Sequence, residues 1–127
     1  MGIPERDGVI HHGMTKITST QKENYIQYYD VLMKNPDTLF LDKPKIDFVK
    51  CDVEGYEYEV FSNMKNTILR HRPIVQSELS GEENRKKVIE LFESWNFKTY
   101  LLEGEKLHQA SEIEKTQASQ DFYFISL

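Results

Sequence analysis

The segment 46–57 constrains the fold of this 127-residue chain more than any other part of the sequence. It reads IDFVKCDVEGYE, and its apolar residues Phe48, Val49, Cys51 and Val53 fall on both faces of an extended strand. Such a strand is typical of a parallel sheet that is covered on both sides. It ends at an acidic, glycine-containing turn that leads into a helix. Because the carboxyl ends of strands border the ligand crevice in open α/β sheets, this turn is a candidate functional site.

Helices and strands alternate along the rest of the chain. From Asp47 onward the order is β-α-β-α-β-β, which predicts an α/β fold with parallel strands and a closing antiparallel pair. Residues 105–119 are polar and give no clear pattern. The predicted elements are the strand Asp47–Asp52, the helix Glu57–Arg70, the strand Ile74–Leu79, a helix from the capping box Ser80–Glu83 to Trp95, the strand Phe97–Leu102 and the strand Asp121–Leu127.

Residues 1–45 are predicted to form a lead-in of loops and one helix, which is a candidate substrate-side segment. Thr20–Glu23 fits a capping box, and the helix is expected over Gln21–Lys34. Gly8–Ile10 and Met14–Thr18 are expected to be extended segments around a turn at residues 11–13.

Composition excludes several classes of protein. The single cysteine, Cys51, rules out an internal disulfide framework and fits a reducing compartment, so a cytoplasmic location is expected. No apolar run is long enough to span a bilayer, which predicts no membrane partner. The net charge of −5 and the pI of about 5.4 argue against a nucleic-acid partner.

The motif K-x-D-x-E-G-x-E over residues 50–57 also carries a family resemblance. Together with the helix that follows, Pro73 and a second strand ending at Glu78, it resembles the signature of the FkbM family of methyltransferases, which use S-adenosylmethionine (SAM). The resemblance implies a Rossmann-like class I methyltransferase sheet with an antiparallel last strand. It also implies methyl transfer to an oxygen of a sugar, a glycan precursor or a secondary metabolite.

The half of such a domain that binds most of the cofactor has no counterpart in this sequence. The glycines stand at positions 2, 8, 13, 55, 81 and 104 and form no G-x-G turn, and no βαβ unit precedes Asp47. Compared with the family, residues 46–127 therefore correspond to the C-terminal half of the domain. We expect this chain alone to be inactive and not to bind SAM. The alternative is a non-catalytic remnant or interaction module that retains half of the sheet.

Four charged residues are the candidate site residues. Asp52 is the candidate general base and the cofactor contact, since its carboxylate suits a sulfonium; Glu54 has a similar catalytic role. Both carboxylates can instead cap the following helix. Lys50 either reaches into solvent or pairs with Asp52 or Glu78 on the substrate side.

Glu78 is expected beside Asp52, because consecutive parallel strands commonly neighbour each other. Two facing carboxylates suggest a divalent metal or a shared proton, but no histidine pattern supports a metal, and the role of a simple acid at the approach to the next helix is favoured. As a functional residue, Glu78 is a candidate substrate contact. The strand 47–52 is expected to have an unpaired edge through which the chain associates with itself, unless residues 1–19 cover it.

Overall fold

The computed structural model describes residues 1–6, 9–10 and 25–127, which divide into two compact units over residues 1–33 and 34–127. The first unit holds a three-stranded antiparallel sheet in the order β2-β1-β3. Its strands are β1 (Gly2–Arg6), β2 (Val9–Ile10) and β3 (Tyr25–Tyr28).

The helix predicted over Gln21–Lys34 is wrong at Tyr25–Tyr28, which form β3. This segment consists of two tyrosines, an isoleucine and a glutamine, and aromatic and β-branched residues favour a strand when a partner strand is present. The partner is β1, with Gly2 opposite Tyr28. The capping box at Thr20–Glu23 and the turn at residues 11–13 lie outside the described residues.

The second unit contains a five-stranded mixed sheet in the order β4-β5-β8-β6-β7. β4 and β5 are parallel, and β8 lies between β5 and β6 and is antiparallel to both. The prediction that four strands form one sheet, with helices beginning near Glu57 and Glu82, is therefore confirmed. The elements are α1 (Pro36–Phe40), β4 (Phe48–Cys51), α2 (Glu57–Ser62), α3 (Lys65–His71), β5 (Ile74–Glu78), α4 (Glu82–Ser94), β6 (Lys98–Glu103), β7 (Lys106–Gln109), α5 (Glu112–Gln117) and β8 (Asp121–Ile125).

The two faces of this sheet have different environments. One face, called the packed face, lies against the helices, and the ring of Phe92 on α4 stacks on that of Phe124 on β8. The other, called the open face, carries exposed apolar and charged side chains. The packed face comprises Val49, Cys51, Val75, Ser77, Thr99, Leu101, Phe122 and Phe124, and the open face comprises Phe48, Lys50, Ile74, Gln76, Glu78, Lys98, Tyr100, Leu102, Asp121, Tyr123 and Ile125.

The prediction that the strand at 47–52 is covered on both sides is wrong in the structure. Phe48 is 51% exposed and Lys50 is exposed, whereas Cys51 on the opposite face is buried. The same pattern recurs in β5, where Ile74 is 40% exposed and Val75 is fully buried. Apolar residues on both faces of a strand thus do not establish that both faces are buried.

The helix predicted over Glu57–Arg70 is two short helices, α2 and α3, separated at residues 63–64. The first backbone N–H groups of a helix need hydrogen-bond acceptors, and for α3 these acceptors come from a distant part of the chain. The Asp37 carboxylate of α1 accepts the N–H groups of Asn66 and Thr67, at 3.1 and 2.8 Å, and the Thr67 hydroxyl at 2.7 Å. Burial is the largest single influence on the pKa of Asp37 and raises it. The hydrogen bonds from Thr67 and Asn66 together outweigh burial, so the pKa is lowered. Such long-range capping is invisible in the local sequence.

The polar stretch 105–119 contains β7 and α5, neither of which the sequence pattern identified. α5 begins at a capping box in which Ser111 and Glu114 exchange hydrogen bonds. The capping box predicted at Ser80–Glu83 is wrong, because the N-cap of α4 is Gly81, which has no side chain to accept a bond. Among the described helices, none has both the length and the apolar character needed to cross a membrane.

Candidate functional site

The turn that follows β4 has an unusual backbone conformation. Asp52 directly follows the strand. Glu54 and Gly55, two and three residues later, both have positive φ, at 53° and 97°. Glycine adopts such a φ without strain, whereas glutamate pays a conformational cost. Gly55 therefore has a backbone conformation that a side chain would hinder. Its neighbour across the turn is Ser80, whose Oγ lies 3.6 Å from where a Cβ would stand.

Glu57, the first residue of α2, holds this turn from within. Its side chain is fully buried, and its Oε1 accepts hydrogen bonds from the backbone N–H groups of Val53 and Gly55, at 3.1 and 3.2 Å. Its Oε2 accepts a bond of 2.7 Å from Nδ2 of Asn84 on α4. A buried carboxylate is costly unless it is hydrogen-bonded, and these three donors meet that requirement.

The prediction that Glu78 lies beside Asp52 is confirmed by the sheet register. β4 and β5 are parallel with Cys51 opposite Ser77, so Asp52 and Glu78 are the next residues at the same edge. Asp121 on β8 is the register partner of Glu78 on the other side. Repulsion from Asp52, followed by burial and by the charges of Glu54, Asp121 and Glu57, raises the pKa of Glu78. The carboxyl ends of β4 and β5 therefore bring several carboxylates close enough to repel one another.

The alternative that Asp52 and Glu54 cap the following helix is not what the structure has. The N-cap residue of α2 is Tyr56, which makes no side-chain capping bond. Instead, Asn84 Oδ1 accepts the Tyr58 N–H at 3.3 Å. Within the described part of the chain, neither Asp52 nor Glu54 is a partner in a side-chain hydrogen bond. Neither carboxylate is thus engaged by another residue of the described ranges.

Lys50 is exposed on the open face, where its register partner is Gln76. It makes no ion pair with another described residue, so the pairing with Asp52 or Glu78 considered above is not formed. Its side chain also borders a groove beside β4. The groove has a volume of about 580 Å³ and is lined by Pro36, Phe40, Lys43, Ile46, Phe48, Val49, Lys50, Cys51, Asp52, Val53, Val60 and Met64.

The buried thiol of Cys51 shares the negative environment of this site. Burial, with added repulsion from Glu57 and Asp52, raises the pKa of Cys51 to about 12. Because the thiolate is the nucleophilic form, this cysteine is chemically inert at neutral pH. Its carbonyl accepts a 3.0 Å hydrogen bond from the Ser77 hydroxyl, which joins the carboxyl ends of β4 and β5.

The described residues contain no group of three or more His, Cys, Asp or Glu side chains arranged to hold a metal ion. The acidic edge formed by Asp52, Glu54, Glu78 and Asp121 is suited to a cationic or hydroxyl-bearing ligand. Two residues of the site, Glu57 and Asn84, were not singled out from the sequence. Glu57 ends the motif, which was the available signal, but Asn84 lies within a polar helical turn without any distinguishing pattern.

Comparison with known proteins agrees with the resemblance that the motif carries. The sequence model of the family described as the methyltransferase FkbM domain matches residues 6–122, which is most of the chain. No curated protein and no solved structure shows significant similarity to it.

Proposed function

The chain belongs to the FkbM methyltransferase domain family, and we propose that it takes part in methyl transfer from SAM to an oxygen of an acceptor. The acceptor class is a sugar, a glycan precursor or a hydroxylated secondary metabolite. The observation that supports this most is the acidic edge, where Asp52 and Glu78 stand side by side after two parallel strands. The order of the strands also fits the second half of a Rossmann-like methyltransferase sheet, with an antiparallel strand between β5 and β6.

The described residues fit one part of SAM. When bound, SAM supplies a methyl group on a positively charged sulfonium. A cation is stabilised beside carboxylates whose mutual repulsion already raises the pKa of Glu78, and Asp52 is the residue that would hold this end of the cofactor. For the rest of SAM, the described residues offer no comparable set of contacts.

The chain's own residues have distinct roles in the proposed reaction. Asp52 accepts the proton of the acceptor hydroxyl as its oxygen becomes a nucleophile, and Glu54 supports this negative site. Lys50 and Glu78 contact the polar groups of the acceptor from the open face. The exposure of Lys50, Asp52 and Glu78 supports these roles, because a ligand reaches them without rearrangement of the sheet.

We further propose that the cofactor site is completed by a segment outside these 127 residues. β4 is the terminal strand of its sheet in the described part of the chain, and its outer edge borders the apolar groove. A parallel strand added there would extend the carboxyl edge past Asp52 and enclose a ligand. Good sites bury roughly 70–90% of a ligand's surface, whereas a single wall leaves most of it in water.

The terminal position of β4 in its sheet and the apolar groove at its outer edge also support a second candidate function, that of an interaction module without catalytic activity. An unpaired edge strand with apolar side chains is a template for association with another strand. On this proposal the chain associates with itself through residues 47–52. Calorimetric titration with SAM separates the two candidates. The chain alone is expected to show no micromolar binding, and the chain extended by its upstream coding sequence is expected to bind if it is an enzyme.

Turnover of the extended protein tests the catalytic role of Asp52. Release of S-adenosylhomocysteine is measured with a panel of sugars and hydroxylated small molecules. The Asp52→Asn substitution keeps the size of the side chain but removes its charge, and turnover is expected to fall roughly a hundredfold or more. Asp47→Asn, at an exposed position before the same strand, is the matched control. Unchanged turnover in a folded Asp52→Asn variant excludes the role as base.

A further inference from the structure

Glu57 is the one buried charged side chain among the residues whose burial is described. Burial of a carboxylate is unfavourable, so its position requires compensating donors. Two of its three donors are backbone N–H groups of the turn that carries Asp52 and Glu54, namely those of Val53 and Gly55. The buried carboxylate thus binds the backbone of the turn through these two hydrogen bonds.

This turn needs such a restraint. Glu54 and Gly55 have consecutive positive φ angles, and a glutamate in that region persists only where its surroundings determine its conformation. The N–H groups of Val53 and Gly55, on either side of Glu54, converge on the single oxygen Oε1 of Glu57. Their convergence fixes the direction in which the intervening residue points.

Asn84 connects this arrangement to the next turn of the sheet. Its Nδ2 donates to Oε2 of Glu57 at 2.7 Å and to the Ser80 carbonyl at 3.3 Å, and its Oδ1 accepts the Tyr58 N–H at 3.3 Å. Ser80 follows β5, the strand that ends in Glu78. One side-chain pair therefore ties the turn after β4 to the turn after β5.

We propose that Glu57 and Asn84 are positioning residues, which hold the turn after β4 so that Asp52 and Glu54 remain beside Glu78. The consequence for catalysis rests on the proposed methyltransferase function. The coupling between the two turns does not, because it is a property of hydrogen bonds within the chain.

Amide hydrogen exchange of the 127-residue chain, followed by NMR, tests the coupling directly. Glu57→Gln places an amide where a carboxylate accepted three bonds, and a donor then faces either the turn or Asn84. The Val53 and Gly55 amides are expected to exchange at least ten times faster, while the amides of β8 keep their protection. Glu59→Gln is the matched control, because Glu59 lies exposed on the same helix.

Rescue by a second substitution distinguishes positioning from general stabilisation. In the Glu57→Gln, Asn84→Asp double variant, the side-chain amide introduced at position 57 donates to the carboxylate introduced at position 84, while the amide oxygen faces the turn. Protection of the Val53 and Gly55 amides is expected to return at least in part. If Glu57→Gln fails to fold, Asn84→Ala gives a second test, since it leaves Glu57 in place but removes the donor to Oε2, together with the bonds of Asn84 to the Ser80 carbonyl and the Tyr58 N–H. A smaller acceleration at the same two amides is expected.

The carboxyl titration of Glu78 reports whether the turn moves. Its pKa is raised chiefly by Asp52 and least by Glu57 among the charges that act on it. If the turn shifts in Glu57→Gln, the pKa of Glu78 falls by an amount comparable to that in Asp52→Asn. Loss of the Glu57 charge alone lowers this pKa only slightly, so a decrease far smaller than in Asp52→Asn shows that the turn stays in place without Glu57.

Two results overturn the proposal. The first is unchanged exchange at Val53 and Gly55 in a folded Glu57→Gln variant. The second is faster exchange with a decrease in the Glu78 pKa far smaller than that in Asp52→Asn, which makes Glu57 a stabilising residue only. In the turnover assay, Glu57→Gln is expected to lower kcat more than it raises KM. Because exchange and titration need no activity, a protein without methyl transfer refutes the proposed function and leaves the coupling intact.

Discussion

The packed and open faces of the five-stranded sheet are made by the same strands but serve different ends. On the packed face, aromatic rings interlock, and Phe92 contacts Phe61, Trp95, Phe97 and Phe124 with centroid separations of 4.1–5.5 Å. On the open face, Ile74 and Leu102 are 40% and 41% exposed, and carboxylates face one another at its edge. The packed face provides stability, whereas the open face leaves apolar surface and charge exposed among the described residues.

The largest expected effect of a single substitution is therefore on the packed face. Phe92→Ala removes a fully buried ring at the centre of the aromatic cluster. We expect the free energy of unfolding to fall by about 3–5 kcal/mol, because a cavity remains where the ring was. Phe48→Ala on the open face removes an identical side chain and is expected to cost no more than about 1 kcal/mol. Urea denaturation measures both, and equal losses would show that the open face is also packed.

A somewhat smaller loss of stability is expected from a substitution before β5, at the end of that strand opposite to the candidate site. Arg72 follows α3 with a φ of 48° and donates to the carbonyls of Trp95 and Asn96 and to the Ser126 hydroxyl. Its guanidinium also lies 4.2 Å from the ring centroid of Phe97. Arg72→Ala is expected to destabilise the chain by about 2–3 kcal/mol, because two carbonyls lose a charged donor. Arg72→Lys keeps the charge but not the planar fork, and most of this loss is expected to remain. Thermal unfolding measures both, and full retention of stability by the lysine variant would contradict this account.

Four strands of the five-stranded sheet and several residues of the packed core were predictable from the sequence because they depend on local patterns, whereas β7 has no such pattern. Phe61, Met64 and Ile68 recur at helical spacing, and all three are buried. Asn96 has a φ of 62°, and an asparagine directly after a helical segment is a sequence signal for such a left-handed cap. The exposure of the open face was not predictable, because the apolar residues of β4 are the same whether or not another layer of structure covers them.

The candidate site was predictable in its first residues but not in its support. The motif located Asp52 and Glu78 at one edge, because parallel strands end together. The roles of Glu57 and Asn84 depend on a contact between residues 27 positions apart, which no local pattern encodes. The break between α2 and α3 has the same origin, since its cap comes from Asp37, about 30 positions away. Neither contact can be recognised from a repeat or a motif in the sequence.

A third prediction concerns association through the edge of β4 and the open face. Phe48 is an exposed aromatic residue on this edge strand, and Phe48→Lys places a charge where another strand would pair. If the chain associates there, its dissociation constant is expected to rise at least tenfold, about 1.4 kcal/mol, without a change in unfolding. Light scattering over a dilution series measures this. Glu105→Gln changes the net charge by the same amount in a distant exposed turn and serves as the control. A clean monomer of the unsubstituted chain at high concentration would contradict self-association.

The smallest expected effect is a gain in stability on the open face. The pKa of Glu78 lies above its ordinary value, chiefly because of repulsion from Asp52, so its ionised form is disfavoured in the folded chain. As pH rises through this raised pKa, Glu78 ionises and the folded state loses stability relative to the unfolded state. Glu78→Gln removes that repulsion and is expected to stabilise the chain at pH 7 by about 0.5 kcal/mol or less, since the side chain is exposed to solvent. The gain is expected to disappear below the ordinary pKa of glutamate, where the carboxyl is protonated in both states. Urea denaturation between pH 3 and pH 8 (values chosen to bracket roughly the glutamate range) measures the difference, with Glu105→Gln as the control. A loss of stability at pH 7 would show that Glu78 makes a favourable contact, and that the open face is optimised for folding as the packed face is.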